Sequence, residues 1–434
     1  MAERDPHTVP DGAVVLHIGP HKTGTTTLQK AFHLNREALA EQGVHYAGAK
    51  SQPMQAAMAA ASGASLATVA SDAGERAWLR LVGEVRTSQA RMRVVSSEFF
   101  SDASTERIPS IIEALGGERV HVVITLRPLV RIVPSQWQQY MQNRPAVKYD
   151  DALDYEGWLA QVLAEGEAPA VTPSFWRRHR HDELVQRWVD AVGAGRVTVI
   201  VVDDSDRRML MTTFEGLLGL TPGTLEPPQE SANRSLTLPE ISMLRSFNRE
   251  FMAREWDLAD YTAFLRFGAV RHLLERAPGP DEARLATPTW AVARICALGG
   301  EMVQRIRAIG VPVIGDLDLL SDPALAGREG RNDWDAPVPA DAVASLMAGL
   351  MLVATRLAPA PAPDGRRPGR LEQVVRDYKI GRDAANEAEN LRAAIADGRL
   401  ELERRTPIDD LSRPRIVALL GRRLLRRLRA LVRR

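Results

Sequence analysis

The chain has 434 residues, of which 45% are hydrophobic and 26% are charged, a balance that allows a sizeable buried core and excludes global disorder. Its single cysteine, Cys296, excludes both a disulfide framework and a cysteine-rich zinc module. The net charge of +1 conceals a division, because 411–434 carries nine arginines and no acidic residue whereas 1–410 carries 47 basic and 55 acidic residues. A mildly acidic body argues against a nucleic-acid-binding protein.

The N-terminus carries Glu3, Arg4 and Asp5 and no apolar run, so we predict a flexible segment over 1–12 and no signal peptide. The longest nearly uncharged stretch late in the chain, 342–355, is too short to span a bilayer. With one cysteine and no predicted membrane span, the expected location is the cytoplasm.

Short, unbroken apolar runs rich in β-branched residues alternate with helical patterns through the first half of the chain. Such runs are typical of strands that are covered on both faces of a parallel sheet, although a short apolar run also suits a buried helix. Amphipathic patterns lie between them, as at 28–39 and 108–115. We therefore predict a doubly wound, mostly parallel α/β sheet in a domain spanning 13–357. The predicted strands are 13–19, 93–97, 120–126 and 197–202, with 311–314 as a further short strand.

The remaining patterns are mostly helical. Helices are predicted within 174–192 and 238–274, and the Ala/Ser/Gly-rich segment 56–73 is predicted to be a weakly specified surface helix or loop. A proline-rich linker over 358–370 separates the α/β domain from its C-terminal extension. That extension is predicted to comprise a charged helical segment, 371–410, and a basic amphipathic helix, 411–434.

The sharpest local motif runs from Gly19 to Leu28, GPHKTGTTTL, and follows the first predicted strand where the first helix begins. Backbone N–H groups at a helix N-terminus form an anion-binding array that the helix dipole strengthens. A Walker A loop has its lysine directly after the second glycine. Here Thr25 follows Gly24 and the lysine, Lys22, lies two positions before it, which argues against simple ATP hydrolysis.

The same motif resembles the 5′-phosphosulfate loop of sulfotransferases that use 3′-phosphoadenosine 5′-phosphosulfate (PAPS). Their pattern is a strand, then Lys-[Ser/Thr]-Gly-Thr-Thr, then a helix, and Lys22, Thr23, Gly24, Thr25 and Thr26 match it. The resemblance implies a P-loop fold like that of nucleotide kinases, with PAPS as co-substrate. Thr27 adds a further hydroxyl to the loop.

In that family an arginine at the end of a later strand, and a serine eight residues on, hold the 3′-phosphate. The resemblance therefore implies this role for Arg127 and Ser135. An arginine fork suits paired phosphate oxygens, but Arg127 paired with a carboxylate is the alternative. Pro134 directly precedes Ser135, so either the helix begins late or the serine lies on a bent turn.

Sulfuryl transfer needs a base for the acceptor proton and a donor for the charge that grows on the leaving phosphate oxygen. Lys22 is the candidate for the leaving oxygen. Glu98, at the carboxyl end of a strand beside the loop, is the candidate base, with His21 as runner-up. The sequence shows no cluster of His, Cys, Asp and Glu with metal-ligand spacing, so no metal is expected.

The predicted helix 411–434 combines arginines with leucines at spacings of three and four. This pattern suits either the surface of an anionic membrane or docking on the acidic body or a partner, with nucleic acid a third choice.

The sequence thus predicts a PAPS-dependent sulfotransferase that acts on a hydroxyl of a carbohydrate, glycolipid or small metabolite. The alternatives are a P-loop kinase or NTPase, and a non-catalytic scaffold at the membrane surface.

Overall fold

The computed structural model describes residues 8–62, 71–144, 147–164, 171–226 and 234–357. They belong to two compact units, one formed by the chain up to Glu255 with Ala277–Pro339, the other by Trp256–Arg276 and the chain from Ala340 onwards. The predicted linker 358–370, the charged segment 371–410 and the basic helix 411–434 lie outside the described residues, as do residues 1–7.

The first unit is built on one six-stranded sheet in which every neighbouring pair of strands is parallel. The order across the sheet is β2-β3-β1-β4-β5-β6. This confirms the predicted parallel α/β architecture and each of the predicted strands. The strands are β1 (Val14–His17), β2 (Val44–Tyr46), β3 (Met92–Ser96), β4 (Val120–Leu126), β5 (Val197–Val201) and β6 (Val313–Ile314).

Helices connect the strands, as parallel pairing requires. In chain order they are α1 (Thr25–Leu34), α2 (Arg36–Glu41), α3 (Met54–Ser62), α4 (Ser71–Thr87), α5 (Ile108–Leu115), α6 (Leu129–Gln142), α7 (Tyr155–Val162), α8 (Phe175–His179), α9 (His181–Val192), α10 (Met209–Leu218), α11 (Leu238–Ala253) and α14 (Thr289–Ile309). The two helices numbered between α11 and α14 belong to the second unit and are given with it below.

Both faces of the sheet are covered, which explains why its strands read as continuous apolar runs. In β1, Val14 and Leu16 face a core formed with α3, α4, α5 and α9. Val15 faces the opposite core, formed with α1, α2 and α10. The sheet is therefore doubly wound. Because its strands are parallel, the carboxyl ends of the central strands lie on the same side of the sheet.

Two features of the first unit differ from the sequence prediction. The edge strand β2 was not predicted, because its three residues are too few to show a period. The predicted surface segment 56–73 contains α3, whose alanines Ala56, Ala57, Ala60 and Ala61 are buried, and it reaches the start of α4. The surface placement was wrong for this helix because small side chains let α3 pack closely on α4. A Cβ added at Gly74 would lie 3.1 Å from Ala59 Cβ.

The second unit is helical. It contains α12 (Leu258–Asp260), a π-helix (Tyr261–Ala269), α13 (Val270–Glu275) and α15 (Ala340–Leu357). Two glycines allow α15 to approach the π-helix closely: a Cβ on Gly268 would lie 2.5 Å from Val353, and one on Gly349 would lie 2.6 Å from Ala269 Cα. Across the described part of the chain, no helix combines the length and apolarity that a bilayer crossing needs.

Candidate active site

The turn between β1 and α1 has the backbone shape of an anion-binding loop. Gly24 is the N-cap of α1 with φ 82°, and Lys22 has φ 73°, so two residues of one short turn are left-handed. Successive N–H groups in such a turn form a concave nest, and the first N–H groups of a helix have no intrahelical acceptor. The first turn of α1 contains no acidic residue that would compete with an anion.

The threonines of the loop divide into two pairs. Thr26 and Thr27 are exposed at the N-terminus of α1, where their hydroxyls can reach a bound phosphate. Thr23 and Thr25 are buried, with 0% and 4% of their surface exposed. The sequence assigned all of them to the phosphate site, whereas the structure turns the Thr23 side chain inward.

The pKa of Lys22 is influenced by two other candidate site residues. Burial, and to a smaller extent the Arg127 guanidinium, lower the pKa of Lys22 to about 8, against the opposing effect of the Glu98 carboxylate. The structure thus brings together the lysine and two other residues that the sequence had proposed for the site. At neutral pH the ammonium is largely protonated but can lose its charge easily.

Glu98 begins a 3-10 helix, Glu98–Asp102, directly after β3. The Ser97 hydroxyl caps this helix by accepting from Phe99 N at 3.4 Å. The Glu98 side chain is 7% exposed and its Oε2 accepts a hydrogen bond of 3.0 Å from Gln29 Nε2 of α1. The candidate base is therefore hydrogen-bonded to α1, the helix that follows the loop.

The His21 ring lies edge-on to Phe99, at 5.0 Å between centroids. Burial, then the charges of Arg178 and Lys22, hold the pKa of His21 well below its usual range, so the ring is neutral. Its Nε2 has no hydrogen-bond partner among the described residues, and neither has either ring nitrogen of the fully buried His179. His179, in α8, interacts electrostatically with His21.

Arg178 interacts electrostatically with both imidazoles and forms an ion pair with Asp102. Its guanidinium binds the Asp102 carboxylate through two hydrogen bonds, of 2.5 and 2.7 Å. It also interacts electrostatically with Glu98. Because Arg178 already has a carboxylate partner, this side of the site presents neutral polar groups rather than free charge.

Arg127, one residue after β4, reaches the loop but also has a carboxylate partner. Its Nη1 donates to the carbonyl of Lys22 at 3.2 Å, while Nε and Nη2 donate to Asp204 Oδ2 at 3.0 and 2.6 Å. Asp204 follows β5 and was not anticipated from the sequence. An anion at this point must compete with Asp204 for the guanidinium.

Ser135 is half-buried in the second turn of α6, which begins at Leu129 and runs through Pro134. One interpretation of Pro134 was that the helix begins late. Instead, α6 begins at Leu129 and Pro134 lies inside it. In the described residues no hydrogen bond joins Ser135 to the loop or to Arg127, so a shared 3′-phosphate site stays a prediction.

A chain of buried hydrogen bonds runs beneath the loop. The Thr23 hydroxyl donates to the Pro20 carbonyl at 2.8 Å and lies 2.8 Å from Thr125 Oγ1 of β4. Thr125 Oγ1 in turn lies 3.1 Å from Nε2 of His17, the last residue of β1. The inside of the loop is thus joined to two strand ends.

The chain continues from His17 to the candidate base. His17 Nδ1 lies 2.8 Å from the hydroxyl of Ser96 at the end of β3. Gln29 Nε2 lies 3.3 Å from that hydroxyl and donates to Glu98 at 3.0 Å. We call this set the His17 network; it consists of Pro20, Thr23, Thr125, His17, Ser96, Gln29 and Glu98.

The sequence analysis named Thr23 and Glu98 but missed the partners that join them. Ser96 and Thr125 carried a weak signal, since each is a polar residue near the carboxyl end of a mostly apolar strand. Gln29, Arg178 and Asp204 carried none, because only the tertiary structure brings them to the loop.

Aromatic residues between α6 and α8 form a buried core. Trp137 and Trp158 are fully buried, and each donates its indole N–H, to Tyr149 Oη at 2.9 Å and to Thr172 Oγ1 at 3.1 Å respectively. Within the described ranges, no group of three or more His, Cys, Asp and Glu side chains has the arrangement of a metal site.

No protein-family model matches the chain, and no curated protein sequence is similar to it. Among solved structures, the crystal structure of a sulfotransferase from Alicyclobacillus acidocaldarius is similar to it with a TM-score of 0.33 and 17% sequence identity. That similarity covers 58% of this chain and 98% of the other.

The His17 network leaves no room for a side chain at Gly19. A Cβ there would overlap Thr125 Oγ1 and lie 2.9 Å from His17 Nε2 and 3.0 Å from Thr23 Oγ1. We expect Gly19→Ala to lower the free energy of unfolding by about 1–3 kcal/mol, the usual cost of overpacking. Urea denaturation measures it.

The matched control is Gly195→Ala, because a Cβ at Gly195 meets no atom within 4 Å. Equal stability of the Gly19→Ala and Gly195→Ala proteins would contradict the close packing beneath the loop.

Proposed function

We propose that this protein is a sulfotransferase that moves the sulfuryl group of PAPS to a hydroxyl of an acceptor. The observation that carries the proposal is the position of Lys22, ahead of Gly24 in a left-handed turn, with its ammonium within the electrostatic influence of the Glu98 carboxylate. A lysine there belongs to the proposed phosphate nest and is influenced by the charge of a candidate base.

Each step of the transfer has a candidate group. Glu98 takes the proton of the acceptor hydroxyl, whose oxygen attacks the sulfur atom of PAPS. The bond between that sulfur and the bridging phosphate oxygen breaks, and adenosine 3′,5′-bisphosphate leaves. Lys22 and the loop N–H groups stabilise the negative charge that develops on the leaving oxygen.

A polar, hydroxyl-bearing acceptor is supported by the groups around Arg178. His21 Nε2 and both ring nitrogens of His179 are buried without partners in the described residues, and an unsatisfied buried polar group costs about 1–3 kcal/mol. Hydroxyls both donate and accept, so an acceptor such as a carbohydrate can satisfy neutral imidazoles. An anionic acceptor gains less here, because Asp102 already pairs with Arg178.

His21 is the second candidate for the base, because its ring is neutral and its Nε2 is unpartnered in the described residues. Glu98 is favoured because the Gln29 hydrogen bond orients its carboxylate, whose charge also raises the pKa of Lys22.

We expect adenosine 3′,5′-bisphosphate to bind at pH 7 and to lose affinity as the pH rises to 9. The pKa of Lys22 is lowered to about 8, so the ammonium that attracts the phosphate loses its proton in this range. The loss should reach about tenfold, from the fraction of lysine that stays charged. Calorimetric titration at both pH values measures it.

Lys22→Arg is the matched control, since its guanidinium keeps its charge and the affinity should stay nearly constant from pH 7 to 9. Tighter binding of Mg-ATP than of the bisphosphate would instead favour a P-loop kinase or NTPase. Failure to bind either nucleotide would favour a non-catalytic scaffold.

Glu98→Gln should lower the turnover of PAPS by about 100-fold or more, as expected for loss of a general base. Binding of the bisphosphate should stay within about twofold, because Glu98 is not part of the phosphate nest. Release of bisphosphate from PAPS, with a panel of simple glycosides as acceptors, measures turnover. Full activity of Glu98→Gln, with loss in His21→Asn, would assign the base to His21.

Asp204→Asn should tighten binding of the bisphosphate by about fivefold, from the roughly 1 kcal/mol of a partly exposed ion pair. The substitution removes a carboxylate that competes with phosphate for Arg127 while keeping the size of the side chain. Asp206→Asn, a few residues further along the same exposed loop, is the control. Weaker binding in Asp204→Asn would mean that Asp204 orients Arg127 instead of competing for it.

A further inference from the structure

The His17 network ends on an acceptor at each side, and this fixes the direction of its hydrogen bonds. At the loop side, the Pro20 carbonyl can only accept, so the Thr23 hydroxyl donates to it. Thr23 has no second hydrogen, so Thr125 must donate to Thr23. Thr125 then accepts from His17, which places the ring proton on Nε2.

The other side of the network agrees with this result. The Glu98 carboxylate accepts from the amide nitrogen of Gln29, and this fixes which end of that amide faces it. The second N–H of the amide donates to Ser96 Oγ. The Ser96 hydrogen can then be donated to His17 Nδ1, which the loop side leaves as the acceptor nitrogen, or to the Tyr46 hydroxyl, whose own hydrogen is donated to the Ser51 carbonyl.

The loop side therefore places a proton on Nε2 of His17, and the Ser96 side is compatible with Nδ1 as an acceptor. An imidazolium would donate from both nitrogens and remove Nδ1 as an acceptor for the Ser96 hydroxyl. Complete burial acts in the same sense, since it lowers the pKa of His17 to about 3. The ring is therefore neutral with its proton on Nε2.

This arrangement restrains the two functional elements at its ends. Gln29 is 1% exposed, so rotation of the Glu98 carboxylate away from it leaves a buried N–H without an acceptor. Such a loss costs about 1–3 kcal/mol. At the loop end, the Pro20 carbonyl bound by Thr23 lies two residues before Lys22. A shift of the turn likewise breaks a buried hydrogen bond.

We propose that the His17 network is a positioning device that holds the Glu98 carboxylate in register with the phosphate loop and Lys22. The inference rests on the proposed function, because it assigns Glu98 the role of base. His17, Ser96, Thr125 and Gln29 are accordingly positioning residues that act through Glu98 and the loop.

Gln29→Leu tests the link to the base. It should lower turnover by about 100-fold, the effect of a misplaced group, while the dissociation constant of adenosine 3′,5′-bisphosphate stays within about twofold. The matched control is Gln138→Leu, which removes another buried glutamine, one that accepts from Leu236 N outside the network. Wild-type turnover in Gln29→Leu, or an equal loss in Gln138→Leu, would overturn the proposal.

A pair of substitutions at His17 separates positioning from packing. His17→Gln offers an N–H donor and an oxygen acceptor in the polarity that Thr125 and Ser96 require, and should keep most of the turnover. His17→Phe keeps a ring against Phe214, which the His17 ring contacts edge-on at 5.1 Å, but has no polar atom and should lose about 100-fold. Equal turnover in the two variants would overturn the proposal.

The tautomer of His17 can be measured without PAPS and without an acceptor substrate. Nitrogen-15 NMR of the wild-type protein with labelled histidine, with His17→Gln to assign the signal, should show a neutral ring protonated on Nε2 at pH 7. A proton on Nδ1, or an imidazolium, would overturn the network. An intact signal without any bisphosphate binding would refute the proposed function alone, whereas bisphosphate binding with an unaffected Gln29→Leu would refute the positioning role alone.

Discussion

The structure depends on the buried hydrogen bonds that join the carboxyl ends of three neighbouring strands. His17 ends β1, Ser96 ends β3 and Thr125 lies near the end of β4, and the imidazole bridges the two hydroxyls. Because none of the three is exposed, each hydrogen bond forms in an environment where leaving it unmade is costly. The strand ends therefore cannot move independently, and everything built on them inherits a fixed spacing.

The charged groups of the site are arranged on that base. Lys22, Glu98 and Arg127 lie close enough to influence one another, and burial lowers the pKa of Lys22 into the range in which it exchanges its proton most readily. Asp204 pairs with Arg127 and Asp102 pairs with Arg178, whereas Lys22 is the cation that lies within the loop among its own N–H groups. This combination suits a ligand that is anionic at one end and neutral and polar at the other.

The fold and the site were predictable to different degrees. The strands could be predicted because a sheet covered on both faces requires continuous apolar runs, and that requirement is local. The loop could be predicted because glycine, lysine and threonine within eight residues determine its chemistry. By contrast, β2 is too short to show a pattern, and the alanines of α3 gave no sign of burial because an alanine suits both surface and core.

By itself the sequence determined the order of the predicted strands and the turn between β1 and α1, and it nominated Lys22 and Glu98 as candidates, since each depends on residues close together in the chain. The tertiary structure decided which of the loop hydroxyls face outward, which carboxylate binds Arg127 and how Glu98 is held. These three features depend on side chains that are far apart in the chain; His17 and Thr125, for example, are separated by 108 positions. Only the crossover connections of a parallel sheet bring such side chains within hydrogen-bond distance.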